Sequence, residues 1–99
     1  MSERVVRHAI IRGRVQGVGY RDWTRYVARE RGIEGWVRNR KDGTVEAMFA
    51  GSGDAVAGML LACRRGPPNS VIESIDQREA AESDLAPRGE KVFAILPTL

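Results

Sequence analysis

A strand-like pattern at the start of the chain changes to a helical one near residue 20. Residues 5–14 are rich in Val and Ile and alternate in part between apolar and polar positions, which predicts a first strand. Beyond them, apolar side chains recur with the spacing of one helix face: Tyr20, Trp23, Tyr26 and Val27. We therefore predict a first helix from about Arg21, with Trp23 and Tyr26 in the core and Gly32 just past its C-terminus.

The next segment predicts a β-hairpin. Residues 35–39 have the pattern of a short strand, and residues 44–50 resume it with Val45, Ala47 and Phe49 on one face. The Asp42-Gly43 pair between them is a strong turn signal, because glycine readily supplies the positive φ that tight hairpin turns need.

A second helix is predicted after the hairpin. Ser52 is a suitable N-cap residue, and Asp54 in the first turn is favoured by the helix dipole. Apolar residues spaced by three and four mark the buried face: Val56, Met59, Leu60 and Cys63. The Gly66-Pro67-Pro68 sequence ends this helix, since proline cannot continue it.

The rest of the chain predicts two more strands, at residues 70–80 and 92–96, separated by polar turn residues 81–90. The element order is then β-α-β-β-α-β with a short C-terminal addition, which is the ferredoxin-like arrangement. Right-handed crossovers put both helices on one face of an antiparallel sheet. We predict this α+β sandwich as a single domain over residues 1–99. The fold hosts many functions and indicates none by itself.

Composition excludes several broad classes of protein. The chain has 99 residues, of which 42% are hydrophobic and 29% charged, so disorder is not expected. The longest apolar run, Ala55–Cys63, is far shorter than the roughly 20 residues of a membrane span. Arginines interrupt the N-terminal stretch where a signal peptide would be apolar, and a single cysteine permits no internal disulfide. We expect a cytoplasmic monomer that does not associate with membranes.

The charge distribution says less about function than the composition does. The net charge is +3, fourteen of the sixteen basic residues are arginines, and residues 1–50 carry +5 while residues 51–99 carry −2. A compositional bias towards arginine on a solvated surface accounts for this. Some of these arginines could instead bind phosphate, because the planar guanidinium matches two phosphate oxygens.

The glycine-rich segment from Gly13 does not match the common nucleotide-binding motifs. It reads GRVQGVGYR, and the Gly-Lys pair of the P-loop occurs nowhere in the chain. Gly17 and Gly19 lack the third glycine of the dinucleotide motif, because Asp22 occupies its position. Neither ATP nor a dinucleotide is therefore predicted as a ligand.

Nucleophilic and metal chemistry also lack support. Cys63 belongs to the apolar face of the second helix, and Asn69 stands where a Cys-x5-Arg phosphatase loop needs its arginine. His8 is the only histidine, so no Ser-His-Asp set can be assembled, and we interpret it as a surface or core residue rather than a ligand. No metal-ligand spacing is present, and we expect no metal or cofactor.

The glycine loop could bind an anion. Glycines at 17 and 19 allow successive backbone N–H groups to point towards one concave site, and the helix start adds its unpaired donors and partial positive charge. Arg21 would add an always-charged, two-pronged donor. The alternative is a tight turn followed by a surface arginine. The residues alone leave both interpretations open.

Two segments are informative when taken together. Ile11–Arg21 reads IRGRVQGVGYR, and Gly35–Gly51 reads GWVRNRKDGTVEAMFAG, with Asn39, Gly43 and Val45 at characteristic intervals. Both resemble the signature segments of the acylphosphatase family, and the first resembles its phosphate-binding loop. The resemblance extends over essentially the whole chain. Tyr20 stands where phenylalanine is more usual.

The resemblance implies hydrolysis of the carboxyl–phosphate anhydride of acyl phosphates, without a metal. It assigns phosphoryl binding to the Arg21 guanidinium and to the backbone amides of Gln16, Gly17, Val18, Gly19, Tyr20 and Arg21. Asn39 would position the attacking water. Without the resemblance, Asn39 would be interpreted as a turn residue bonded to its own backbone.

Two other functions remain possible at this stage. The fold and the arginine content suit an RNA-binding module, although no strand has the aromatic RNA-reading pattern, so we expect no specific nucleic-acid partner. The same loop could also serve a sensor that binds an acyl phosphate without hydrolysing it. We favour the enzyme, with a small-molecule acyl phosphate as its partner.

Overall fold

The predicted order of helices and strands is confirmed. The structure is a computed structural model that describes residues 2–99. Its helices and strands, in chain order, are β1 (Arg4–Arg14), α1 (Tyr20–Glu30), β2 (Glu34–Asn39), β3 (Val45–Ser52), α2 (Gly53–Arg65), β4 (Val71–Glu79) and β5 (Phe93–Ile95). A 3₁₀ segment, Glu82–Arg88, lies between β4 and β5.

The strands form one sheet in the order β4-β1-β3-β2-β5. The first four strands pair antiparallel, and both helices pack on one face, as the ferredoxin-like arrangement requires. The fifth strand runs parallel to β2, with Gly35 opposite Phe93, so the complete sheet is mixed. The chain leaves β4 at one edge of the sheet and pairs as β5 at the opposite edge, beside β2.

The main core lies between the helices and the sheet face that they cover. Alternate residues of β1 and β3 point into it, including Ala9, Ile11, Ala47 and Phe49. The predicted face of α2 is buried in full, and Cys63 is completely shielded from solvent. Burial raises the pKa of the Cys63 thiol to about 12, so this group is protonated at neutral pH. The prediction of Cys63 as a core residue is confirmed.

Helix α1 buries a face that overlaps the predicted one in part, since Tyr20 belongs to both. Its buried residues are Tyr20, Thr24 and Ala28, whereas Tyr26 is 66% exposed and Trp23 is only partly buried against the core. The placement of Tyr26 in the core is therefore wrong. The small side chains of Thr24 and Ala28 let the helix lie close to the sheet, and the Thr24 hydroxyl donates to the Tyr20 carbonyl at 2.7 Å.

The sheet face without helices carries a second, smaller apolar cluster. Its buried members are Val6, Trp36, Met48, Ala50, Leu85 and Ala94. The 3₁₀ segment contributes Leu85, and the Trp36 indole donates to the Asp84 carbonyl at 2.8 Å. Residues 81–90 are therefore more than polar turn residues. Leu85 is the one large apolar side chain in residues 81–90, and by itself it gives no periodic signal that could reveal this.

A charged network lies next to that cluster. His8 is buried, and its Nε2 is 2.6 Å from Oε2 of Glu46, whose other oxygen accepts from Arg38 at 2.7 Å. Burial by itself would raise the pKa of Glu46, but the hydrogen bonds from His8 and Arg38 outweigh it and hold that pKa below its ordinary value. These three residues connect β1, β3 and β2, and the network gives His8 a structural role.

Candidate active site

The loop between β1 and α1 has a backbone that requires glycine at two positions. Gly17 and Gly19 have φ of 75° and 78°, a left-handed conformation that costs other L residues roughly 1–2 kcal/mol. A Cβ atom at either position would meet nothing within 4 Å, so conformation rather than space determines the choice of glycine. Gly19 precedes the first residue of α1, and no side chain caps this helix.

The backbone donors of residues 16–21 have no partners within the described chain. None of their N–H groups donates to an acceptor in residues 2–99, and the first bond of the helix comes from Trp23 N to the Gly19 carbonyl at 3.0 Å. Unpaired N–H groups at a helix start favour a bound anion, through both hydrogen bonding and the helix dipole. This segment, residues 16–21, has the donors that a phosphate needs.

Arg21 adds a cation beside these donors. Its side chain is partly buried, and no carboxylate of residues 2–99 lies within 4.0 Å of it. The neighbouring Asp22 pairs with Arg25 instead, at 3.5 Å. The guanidinium of Arg21 is therefore available to an anionic ligand.

Tyr20 fixes the start of α1 against the end of α2. Its ring is buried, and its hydroxyl donates to the Cys63 carbonyl at 2.8 Å. A Cβ on Gly66 would lie 2.9 Å from Cε2 of this ring, so glycine allows the close approach. Burial raises the pKa of Tyr20 well above its ordinary value, so its hydroxyl remains a donor. The hydroxyl thus has a structural partner that phenylalanine could not engage.

Asn39, the last residue of β2, carries an unsatisfied polar atom. Its Oδ1 is buried and accepts no hydrogen bond from residues 2–99. Leaving such an acceptor unpaired costs about 1–3 kcal/mol, so the atom favours an external donor such as water. The turn that follows is closed by Asp42, which accepts from the backbone N and hydroxyl of Thr44 at 3.0 and 2.6 Å. Within residues 2–99, Oδ1 of Asn39 therefore makes no hydrogen bond to its own backbone, unlike a typical turn asparagine.

The backbone around Asn39 is held from two sides. Its carbonyl accepts from Leu99 N at 3.1 Å, and Lys41 N donates to the Leu99 carbonyl at 3.2 Å. From the other side, Nε2 of Gln16 donates to the carbonyls of Arg40 and Thr44 at 2.8 and 2.9 Å. The loop that contains the free amides and the hairpin that contains Asn39 are therefore in direct contact.

The resemblance implies a role for Gln16 only through its backbone amide. The side-chain bonds to the hairpin span 24 and 28 residues of chain, so no local spacing predicts them.

A protein-family model described as Acylphosphatase matches residues 7–95, a range that includes both the loop and the hairpin. The chain belongs to the acylphosphatase family. The resemblance found in the two motifs is thereby confirmed, and with it the expectation that the chain is a hydrolase.

Individual relatives agree over nearly the full length. An acylphosphatase of Bradyrhizobium diazoefficiens is 52% identical over 98 residues, covering 97% of this chain and 98% of its own. The crystal structure of acylphosphatase from Bacillus subtilis is similar with a TM-score of 0.82 and 34% identity, over 93% of this chain and 98% of that one. An acylphosphatase structure from Coxiella burnetii gives 0.84 and 27%, over 94% and 93%.

Two further observations describe this acylphosphatase family member. Among residues 2–99, no three His, Cys, Asp or Glu side chains gather as metal ligands do. In the same part of the chain, neither helix combines the length and the apolar character needed to cross a membrane.

Proposed function

We propose that this chain hydrolyses acyl phosphates to a carboxylate and inorganic phosphate, with no metal ion or cofactor. The observation that supports this most strongly is the run of backbone N–H groups over residues 16–21 with no partner in residues 2–99, which ends at Arg21, a cation with no carboxylate partner in the same residues. Such a group of donors suits a dianionic phosphoryl group. Membership of the acylphosphatase family supports the same activity.

In the binding step, the phosphoryl oxygens accept hydrogen bonds from the amides of residues 16–21 and from Arg21. Phosphoryl transfer depends mainly on positioning and on stabilising charge over the equatorial oxygens. Fixed backbone dipoles and a guanidinium supply both without reorganising during the reaction. These groups stabilise the phosphoryl charge that Mg²⁺ stabilises in many other phosphoryl-transfer enzymes.

In the chemical step, Oδ1 of Asn39 accepts a hydrogen bond from the attacking water. Its lack of a partner among residues 2–99 supports this role, because a bound water would satisfy the atom. The water oxygen bonds to phosphorus as the bond from phosphorus to the carboxylate oxygen breaks. The water proton passes to a phosphate oxygen, so the products are a carboxylate and dihydrogen phosphate.

The leaving group explains why no strong acid or base is needed. A carboxylate has a conjugate acid with a pKa of about 4, so it departs without protonation. A phosphate monoester must release a far more basic alkoxide, which usually needs a general acid. We therefore propose that the enzyme prefers acyl phosphates to phosphate monoesters.

The experiment that tests this function measures phosphate release from acetyl phosphate by the purified chain in EDTA. We expect turnover that chelation does not reduce, and little release from a phosphate monoester. Turnover that EDTA abolishes and Mg²⁺ restores would contradict metal independence. Phosphate binding without turnover would instead indicate a sensor.

A matched pair of arginine variants tests the binding step in the same assay. Lysine keeps the charge of Arg21 but loses the two-pronged donor, so Arg21→Lys should be nearly inactive and should bind phosphate poorly. Arg25→Lys makes the same replacement of a guanidinium by an ammonium group one turn further along α1, outside the loop. This control should leave turnover near the wild-type value. Equal activity of the two variants would remove Arg21 from the proposed mechanism.

A further inference from the structure

The side chain of Gln16 connects the two halves of the proposed site. Its Nε2 donates to the carbonyls of Arg40 and Thr44, at 2.8 and 2.9 Å, from a partly buried position. These are the same two carbonyls that close the hairpin, since Arg40 N donates to Thr44 O at 2.9 Å and Gly43 N donates to Arg40 O at 3.1 Å. Both hydrogens of the Gln16 side-chain amide therefore bond to Arg40 and Thr44, the residue pair that closes the hairpin.

This contact fixes the backbone directly beside Asn39. Arg40 follows Asn39 in the chain, so holding its carbonyl restricts the peptide on which the asparagine side chain depends. The Asn39 side chain has no hydrogen bond of its own through Oδ1 within residues 2–99. Its position is therefore set by packing and by the backbone.

Gln16 is also the first residue of the segment with free amides. A displacement of this loop would be transmitted to the hairpin through the two hydrogen bonds of the Gln16 side chain. We propose that the Gln16 side chain is a positioning residue that sets the placement of Asn39 relative to the phosphoryl group. This inference rests on the proposed function, in which the loop binds that group and Asn39 binds the water.

A neutral carboxamide suits this position chemically. It donates two hydrogen bonds to carbonyl oxygens and adds no charge beside an anion site. A carboxylate would face two carbonyl oxygens and would oppose the binding of a phosphate. Glutamine thus holds the hairpin without disturbing the electrostatics of the loop.

The test replaces Gln16 with methionine, which keeps the length of the side chain and removes both donors. We expect kcat for acetyl phosphate to fall about tenfold or more, because small misplacements of a reacting group can cost up to about 100-fold. Competitive inhibition by phosphate should change less than about twofold, because glycines 17 and 19 still shape the loop. Amide hydrogen exchange at Arg40 and Gly43 should become faster. Gln77→Met, an exposed change on β4, is the matched control and should alter none of these.

A double-mutant cycle separates positioning from general support of the fold. In an Asn39→Ala background, the residue to be positioned is gone, so adding Gln16→Met should lower kcat by less than about twofold. Equal losses in both backgrounds would refute the positioning role, because independent effects add. Gln16→Leu, which also removes both donors and adds no charge, provides a second variant if methionine disturbs folding, and it should show the same selective loss of kcat.

Failure of this inference is distinguishable from failure of the proposed function. A wild-type protein that releases no phosphate from acetyl phosphate would refute the function. An active wild type whose Gln16→Met variant keeps kcat would refute the positioning role alone. A loss of phosphate affinity equal to the loss of kcat would also refute it, because Gln16 would then act through the loop.

Discussion

Replacing Tyr20 with phenylalanine tests how the start of α1 is anchored. The hydroxyl of Tyr20 donates to the Cys63 carbonyl at 2.8 Å, near the end of α2. In a regular helix that carbonyl would accept from the N–H of residue 67, but this position is Pro67, which has no N–H. The hydroxyl therefore satisfies an acceptor that the helix cannot satisfy itself.

The expected cost follows from this geometry. Losing the bond and leaving a buried carbonyl unpaired should lower the free energy of unfolding by about 1–3 kcal/mol. For a domain of this size, that corresponds to roughly 4–8 °C in Tm for each kcal/mol. The ring stays in place, so kcat should change little. Burial raises the pKa of Tyr20, so its share of the stability is present below about pH 10 and declines as the pH rises above it.

The assay is urea unfolding of Tyr20→Phe against Tyr26→Phe, which removes a hydroxyl from an exposed ring. The control should change stability by less than about 0.5 kcal/mol. A Tyr20→Phe protein as stable as wild type, or one destabilised no more than Tyr26→Phe, would refute the reasoning.

Three further predictions concern the loop and the acid stability. Gly19→Ala should lose about 1–2 kcal/mol of stability through its positive φ and should bind phosphate more weakly, whereas Gly53→Ala, at a position without positive φ, should not. Inorganic phosphate should compete with acetyl phosphate, because both need the donors of residues 16–21; noncompetitive inhibition would contradict this. Hydrogen bonds from Arg4 and Arg88 lower the pKa of Glu34 to about 2 from an ordinary value near 4.5, so unfolding by urea should become easier as pH falls between these values. Glu34→Gln should remove the share that Glu34 contributes and leave a remainder, because the pKa values of Asp42, Glu46 and Glu82 are lowered too.

The fold was predictable where short segments carry their own signals. Strand alternation in β1 and β3, the spacing of the α2 face and the Asp42-Gly43 turn are local patterns, and each predicted its element. The face of α1 was misjudged because Thr24 and Ala28 are small, while the aromatic Tyr26 weighs more heavily in a count of apolar positions. A close approach to the sheet favours the small side chains.

The site was predictable only in part, because local patterns reveal some of its residues and contacts between distant segments determine the others. Gly17 and Gly19 indicate a special loop by their spacing, and Arg21 at its end is a candidate anion ligand from the residues alone. The resemblance favoured that role for Arg21, and the role of Asn39 came from the resemblance. Contacts between distant segments gave no such signal. The bonds of Gln16 to the hairpin and of Leu99 to Asn39 depend on how the strands are ordered in the sheet, which no single segment encodes.

The most direct test of the proposed mechanism compares turnover with phosphate affinity in Asn39→Ala. If Asn39 binds only the attacking water, kcat for acetyl phosphate should fall about 100-fold or more, the scale seen when one well-placed polar group is removed from an active site. Phosphate should inhibit the variant with nearly the wild-type constant, because residues 16–21 are unchanged. Circular dichroism first establishes that the variant is folded. A folded Asn39→Ala protein that retains most of its kcat would contradict the account and leave Asn39 as a structural residue at the hairpin.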